Sequence, residues 1–413
     1  YSRPFLAYGS IGPSCALAEF ADGELKVWSH TQGPFVLRDW LAHALDLDPA
    51  HVTVLHRQGA GCYGHNSADD VAFDAAFVAL RRPGRPVRVQ WTREDEFLAA
   101  PMGAAMAIGL RATLDEKSRP RDWKIEIWSP VHAQRPGTNG YHNLLGAEAL
   151  PGALPHPPEM HDVPDAGGGG ATRNGVALYD LPAHRLVHHL LPHFPVRTSS
   201  LRGLGAFANV FAIESFMDEL AEIAGEDPVA YRLSLLSDER ARHVIETAAT
   251  MGGWSGQKSM GDGHAKGFGF ARYKNKAAYM AVVAEVAVDE EVRVVKVWGA
   301  VDAGLVISPD GAANQIEGGI IQAASWSLKE QVRFADGRVA SATWEDYPIL
   351  RFSEVPQIEL RFIDRPHEPT LGIGEVSLGP TAAAIGNAVA RALGARLRHL
   401  PLTRERIMAA MLA

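Results

Sequence analysis

Three glycine-spaced segments each run directly into a helix-like stretch. Gln58-Gly59-Ala60-Gly61-Cys62-Tyr63-Gly64-His65-Asn66 precedes residues 68–80, Arg202-Gly203-Leu204-Gly205 precedes 207–224, and Gly372-Ile373-Gly374-Glu375-Val376-Ser377-Leu378-Gly379-Pro380 precedes 381–396. Glycine at the entry to a helix lets the backbone turn sharply and leaves amides free to meet a ligand. Strand-like runs at 52–56 and 357–363 come before two of these turns. The pattern therefore predicts an α+β chain of short mixed elements with loops held on rigid supports. No 18-residue apolar span, internal repeat or heptad pattern interrupts it, so a transmembrane helix and a coiled coil are excluded. At 413 residues the chain exceeds what one core usually holds, and more than one lobe is expected.

Periodicity predicts a first lobe over residues 1–130. A strand at 25–29 runs into His30-Thr31-Gln32-Gly33-Pro34, and a helix at 36–45 carries Val36, Leu37, Trp40, Leu41, Ala44 and Leu45 at helical spacing. Strands at 52–56 and 86–91 flank a helix at 68–80. Residues 131–200 lose this regularity: 151–164 is rich in Pro and His, and 167–170 is four consecutive glycines, which predicts an extended surface connection. A second lobe is expected over 201–413. It would contain a broadly apolar helix at 207–224 closed by Gly225 and Pro228, a hairpin of 282–288 and 292–298 across Asp289-Glu290-Glu291, a helix at 315–328, and a terminal helix from Thr381 to about Arg396.

Acidic residues outnumber basic ones, 48 to 40, for a formal charge of -8, which argues against nucleic acid or an anionic membrane as the main partner. Cys15 and Cys62 make no disulfide framework, CxxC or CxxCH, so the chain offers no cysteine site for zinc, an iron–sulfur cluster or a covalent haem. His184, His188, His189 and His193 include two i,i+4 pairs, but Pro192 and Pro195 break the helix that such spacing needs, and no metal site is expected there. The chain opens at Tyr1 without Met, which suggests one part of a larger, split or processed protein.

From the residues alone several readings stay open. Glu375, in a glycine-spaced loop before a helix, suits a general base or a helix cap. The loop at 59–66 suits an anion cradle or a tight turn, being neither a Walker A sequence nor GxGxxG. Arg202 suits phosphate or carboxylate recognition, or a plain ion pair.

Taken in order along the chain, these segments resemble the molybdenum-binding large subunit of the xanthine oxidase family, the molybdenum hydroxylases. His30-Thr31-Gln32 is similar to the family's Thr-Gln loop, Gly59-Ala60-Gly61-Cys62-Tyr63-Gly64 to its glycine-phenylalanine loop, and Pro83-Gly84-Arg85-Pro86-Val87-Arg88 to the stretch that follows. Leu201-Arg202-Gly203-Leu204-Gly205 resembles the Arg-Gly loop beside the pterin, Gln315-Ile316-Glu317-Gly318 the start of a helix near the metal, and Gly374-Glu375 the pair carrying the general base. The likeness is strongest to the nicotinate dehydrogenase and isoquinoline 1-oxidoreductase type. It implies a two-lobed molybdenum-cofactor-binding fold, incomplete without an N-terminal partner segment bearing a Gly-Gln-Gly loop that this sequence does not contain.

The resemblance implies Glu375 as catalytic base, and Gln32, Gly61, Cys62, Tyr63, Arg202 and Gln315 as cofactor-binding, with no protein side chain ligating the metal. Asn66 and Leu204 would line the substrate pocket. Asn66 stands in place of a carboxylate and Leu204 in place of an aromatic found in xanthine-oxidising members, which speaks against xanthine and leaves an aldehyde or a pyridine-type heterocycle open as substrate. The implied reaction is hydroxylation with oxygen from water, on a molybdopterin cytosine dinucleotide shared with the partner segment. Electrons would leave through [2Fe-2S] clusters on a separate small subunit, with a c-type cytochrome as a further partner. The alternatives are a non-catalytic scaffold that keeps the fold, or a phosphate-ligand binder without redox chemistry. A periplasmic or membrane-associated complex is expected before a cytoplasmic one.

Overall fold

The computed structural model describes residues 1–192, 194, 196–256, 261, 263–289 and 291–411. His193 and Pro195 of the histidine-rich stretch, and Glu290 of the expected hairpin turn, lie outside the described residues.

Three four-stranded mixed sheets and the helices packed on them carry the site. The first sheet orders Val52–His56, Glu24–Ser29, Cys15–Ala21 and Val87–Gln90. Leu25 and Val27 alternate toward its core side and meet Leu37 and Leu41 of the helix Pro34–Ala44 and Phe73 of the helix Ala68–Ala79. Both helices begin directly after loops expected to be functional.

The second sheet orders Gln357–Phe362, Val292–Asp302, Tyr279–Val288 and His264–Arg272. Its hairpin is apolar on both faces because both are covered: Met280, Val282, Ala284 and Val286 face one core, Tyr279, Ala281 and Val283 the other. The helix Leu378–Leu393 lies on the strand His264–Arg272 at backbone contact distance. A Cβ at Gly267 would fall 2.2 Å from the Ala384 carbonyl oxygen, and one at Gly269 2.3 Å from that of Pro380. Gly379 and Gly386 give the same close approach to Val210 and Phe211 of the helix Ala206–Ala224. The loop bearing Glu375 is thus fixed at the mouth of a tightly packed sandwich.

The third sheet orders Ser2–Arg3, Met106–Leu114, Pro120–Ser129 and Ala183–Leu190. Here the sequence reading needs correction, since residues 183–190 of the expected connection form a strand parallel to Pro120–Ser129. His184 and His188 share one strand face, whereas His189 stacks on Trp128 with ring centroids 4.7 Å apart. Among the described residues no group of three His, Cys, Asp or Glu is placed to hold a metal ion. The glycine run is not a loose wrap either. The Gly170 carbonyl accepts from the Gly205 amide, and Asp162 accepts from the amides of His132 and Ala171. Two helix boundaries also move. The helix Pro309–Leu328 starts a full turn before Gln315, with Pro at its first position, where a missing N–H is harmless. The terminal helix ends at Leu393, with Gly394 left-handed after it.

A small core around Phe5, Phe97, Met102 and Tyr347 adjoins Glu330, which is 4% exposed. Burial lifts its carboxyl from an ordinary 4.5 to about 7. The folded protein therefore keeps a proton that the unfolded chain releases, and this contribution to stability is lost as pH rises between about 4.5 and about 7. Unfolding measured across that window should show wild type losing about 3 kcal/mol that Glu330→Gln does not lose. Parallel pH profiles for the two proteins would refute this.

Candidate functional site

Two of the glycine-spaced loops are laced together. The Arg202 amide donates to the Tyr63 carbonyl at 2.7 Å and the His65 amide to the Ser200 carbonyl at 2.7 Å, making a two-residue antiparallel bridge between Gly64 and Leu201. Only glycine fits at position 64: its φ is +119°, and a Cβ there would lie 1.8 Å from the Ser200 carbonyl oxygen. Tyr63 at φ 48° and Leu204 at φ 47° are the two bulky apolar side chains among the described non-glycine residues with positive φ. Strain of this kind persists where the surroundings over-determine a geometry, and both residues face the same cavity.

The Thr-Gln loop joins them. Gly59 leaves room for His30, whose Cγ would lie 2.8 Å from an added Cβ. Gln32 is oriented from both ends, its Nε2 donating to Cys62 Sγ at 2.9 Å and its Oε1 accepting from Arg135 Nη2 at 3.0 Å. Arg135 also donates to the Ser200 hydroxyl.

Arg202 ties the third loop and a helix to this pair. Its Nε donates to the Gly374 carbonyl at 2.8 Å, its Nη2 to the Gln315 carbonyl at 2.9 Å, and its Nη1 to Gln322 Oε1 at 3.3 Å. Burial lowers its pKa and the neighbouring Glu375 charge opposes that. Gln315 stands in the second turn of its helix, not at its start, because the helix begins at Pro309. Glu375 accepts two hydrogen bonds, from the Gly203 amide to Oε1 at 2.7 Å and from the Tyr273 hydroxyl to Oε2 at 2.7 Å.

A cavity of about 690 Å³ opens between these groups. Of the residues expected from the sequence, Gln32, Gly61, Cys62, Tyr63, Arg202, Leu204, Gln315 and Glu375 line it together. Asn66 does not. It is 1% exposed, its Nδ2 donates to the Gly61 carbonyl and the Ser10 hydroxyl, and its Oδ1 accepts from the Ala68 amide, so it braces the glycine loop from behind. Sequence reasoning missed Arg135 and Arg173 on the wall, and Tyr273 behind Glu375. No spacing signal marks any of the three.

The wall suits a large anionic cofactor. Three arginines (135, 173 and 202) face one carboxylate in a chain whose net charge is -8, and glycines 61, 64 and 374 bring bare backbone to the surface. Open space adjoins Gly318 on the facing helix. Comparison with protein-family models finds a molybdopterin cofactor-binding domain over residues 6–140 and a second one over 199–356, which together contain every residue expected at the site except Glu375. The chain belongs to the molybdopterin cofactor-binding family. It is 40% identical over its whole length to a nicotinate dehydrogenase subunit from Pseudomonas putida, of which it covers 34%. It is 32% identical over 94% of its length to the beta subunit of isoquinoline 1-oxidoreductase from Brevundimonas diminuta, of which it covers 47%. The chain thus spans a third to a half of these relatives. Among solved structures, quinoline 2-oxidoreductase from Pseudomonas putida 86 superposes with a TM-score of 0.77 at 16% identity, over 100% of this chain and 75% of that one. Aldehyde oxidoreductase from Desulfovibrio gigas gives 0.75 at 16%, over 100% and 61%. The fold is therefore the mixed α+β fold of the molybdenum hydroxylases. Among the described residues no helix is long and apolar enough to cross a membrane.

Proposed function

We propose that this chain supplies the catalytic face of a molybdenum hydroxylase acting on an N-heterocyclic aromatic or an aldehyde, with water as the oxygen source. The observation that carries the reading is Glu375. Its carboxylate is held by two donors on the wall of the cavity that Gln32, the 61–64 loop and Gln315 also line. Unlike Glu214, which a tyrosine hydroxyl and a backbone amide hold inside the core, Glu375 is held at the wall of an open cavity.

The bound molybdopterin group supplies two-electron oxidation of an electron-poor carbon. Gln32, set by Arg135 and Cys62, would help hold the group through its amide, and the turned backbone at 61–64 would offer bare amides beside it. Arg202 holds Gln315 and the Gly374 carbonyl in fixed relation, so the helix and the Glu375 loop meet the cofactor as one surface. Glu375 accepts a proton at its carboxylate as substrate is hydroxylated. Tyr63 and Leu204 give an apolar wall that suits a flat ring.

In the same reading, the cofactor is the cytosine dinucleotide form, gripped jointly with a Gly-Gln-Gly segment outside this sequence. Electrons pass to [2Fe-2S] clusters on a small subunit and onward to a c-type cytochrome. The likeness to relatives named as subunits of nicotinate and isoquinoline oxidoreductases supports this assembly. The test is elemental and pterin analysis of the purified complex, with turnover of a pyridine-type heterocycle in ¹⁸O-water. Molybdenum with a dinucleotide pterin and one labelled oxygen in the product is the expected result. A complex without molybdenum, or a product without label, overturns the proposal.

A further inference from the structure

Tyr273 holds Glu375 from behind, and the glycine run at 167–170 and the turn at 273–275 account for how the tyrosine is itself held. Arg173 donates from Nε to the Gly168 carbonyl at 3.1 Å and from Nη1 to the Tyr273 hydroxyl oxygen at 2.8 Å. That hydroxyl in turn donates to Glu375 Oε2 at 2.7 Å. Since the arginine occupies the phenolic oxygen as a donor, the phenolic proton is left to point at the carboxylate.

The turn is built to hold this line. Lys274 and Asn275 sit at φ 55° and 53°, and Asn174 pins them, donating to the Arg272 carbonyl at 2.8 Å and accepting from the Lys274 amide at 2.8 Å. Gly168 has no side chain because the Lys274 stem passes there: an added Cβ would lie 2.8 Å from its Cδ. Asn275 also donates to the Val176 carbonyl. Two strained turns 100 residues apart are thus locked to one another, and their one link to the cavity-facing carboxylate among these contacts is the tyrosine hydroxyl.

We infer that Tyr273, held by Arg173 and the 167–174 turn, is a positioning residue that fixes the direction of the Glu375 carboxylate at the cavity wall; this rests on the hydroxylase reading above. Burial first and the Glu375 charge second push the tyrosine hydroxyl well above its ordinary range, so it remains a proton donor throughout the working pH range. Tyr273 is 6% exposed and does not line the cavity, so it acts through Glu375 rather than on substrate.

The test uses the intact complex. Tyr273→Phe keeps the ring in its core and removes only the hydroxyl. It should lower kcat about tenfold with KM unchanged. Molybdenum content should stay constant. An infrared difference spectrum, wild type minus Glu375→Gln, reads the carboxylate directly, and its band should shift in the Tyr273→Phe background. A second substitution, Tyr273 by difluorotyrosine, preserves shape while making the phenol a stronger donor, and should move that band the opposite way. An unchanged kcat in Tyr273→Phe with an unmoved carboxylate band in both variants overturns this inference and leaves the hydroxylase reading standing. Full turnover in Glu375→Gln overturns that reading instead.

Discussion

Glu375→Gln should abolish measurable turnover, a loss of at least about a hundredfold, while molybdenum and pterin contents stay at wild-type levels. The substitution is nearly isosteric but reverses the chemistry at one atom. In the native site both carboxylate oxygens accept, one from the Gly203 amide and one from the Tyr273 hydroxyl. An amide side chain satisfies only one of these donors and sets its own NH₂ against the other. It also has no site to take up a proton. The cradle around Gln32, the 61–64 loop and Arg202 is hydrogen-bonded to the Glu375 side chain through the Gly203 amide and to its loop through Arg202 at the Gly374 carbonyl, so cofactor retention should survive. Metal analysis beside steady-state turnover checks both halves. Retained activity excludes Glu375 as the base, and lost cofactor makes it a structural residue.

Arg232→Met should lower the unfolding free energy by about 3–5 kcal/mol. Arg232 donates to Glu214 Oε2 at 2.9 Å and to Asp218 Oδ1 at 2.7 Å, and all three side chains are at most 3% exposed. Tyr179 and the Phe270 amide complete the donors to Glu214. Removing the cation strands two carboxylates one helical turn apart in the core. The loss should therefore be mostly recovered when Arg232→Met is combined with Glu214→Gln and Asp218→Asn. Thermal or denaturant unfolding of the three proteins measures this; a loss below about 1 kcal/mol in the single variant would mean the triad is already solvated.

Glu214 and Asp218 also mark where sequence reading reaches its limit. The helix at 206–224 announces itself through apolar period, but the same period places two acids on its buried face without naming their partner, which sits 14 to 18 residues on. Local rules read elements well where burial imposes a pattern, on one face at Leu25 and Val27 and on both faces along the hairpin. They failed at 183–190, where His184, Arg185, His188 and His189 interrupt the apolar pattern of a strand whose pairing partner is about 60 residues away. At the site, Gln32 and Gln315 have no spacing signal of their own, and came only with a likeness spread over several segments. Arg135, Arg173 and Tyr273 stayed invisible because each matters through a contact with a distant residue. Asn66 was legible as a loop residue, but not its direction, which depends on Ser10 behind it.

The bond between Gly203 and Glu375 spans 172 residues, and Arg202 reaches across as far to Gly374. The first strand likewise leans on the far end of the chain, Ser2 donating to Arg398 and accepting from Leu400. High contact order of this kind makes assembly slow, since each closure pays its entropy before any reward returns. A nascent chain released up to Gly205 has the first two glycine turns but neither the third, at 372–380, nor the helix behind it. Loading of a prosthetic group must then wait for the helix behind Glu375 to dock, which makes insertion a step performed on a finished vessel rather than during synthesis.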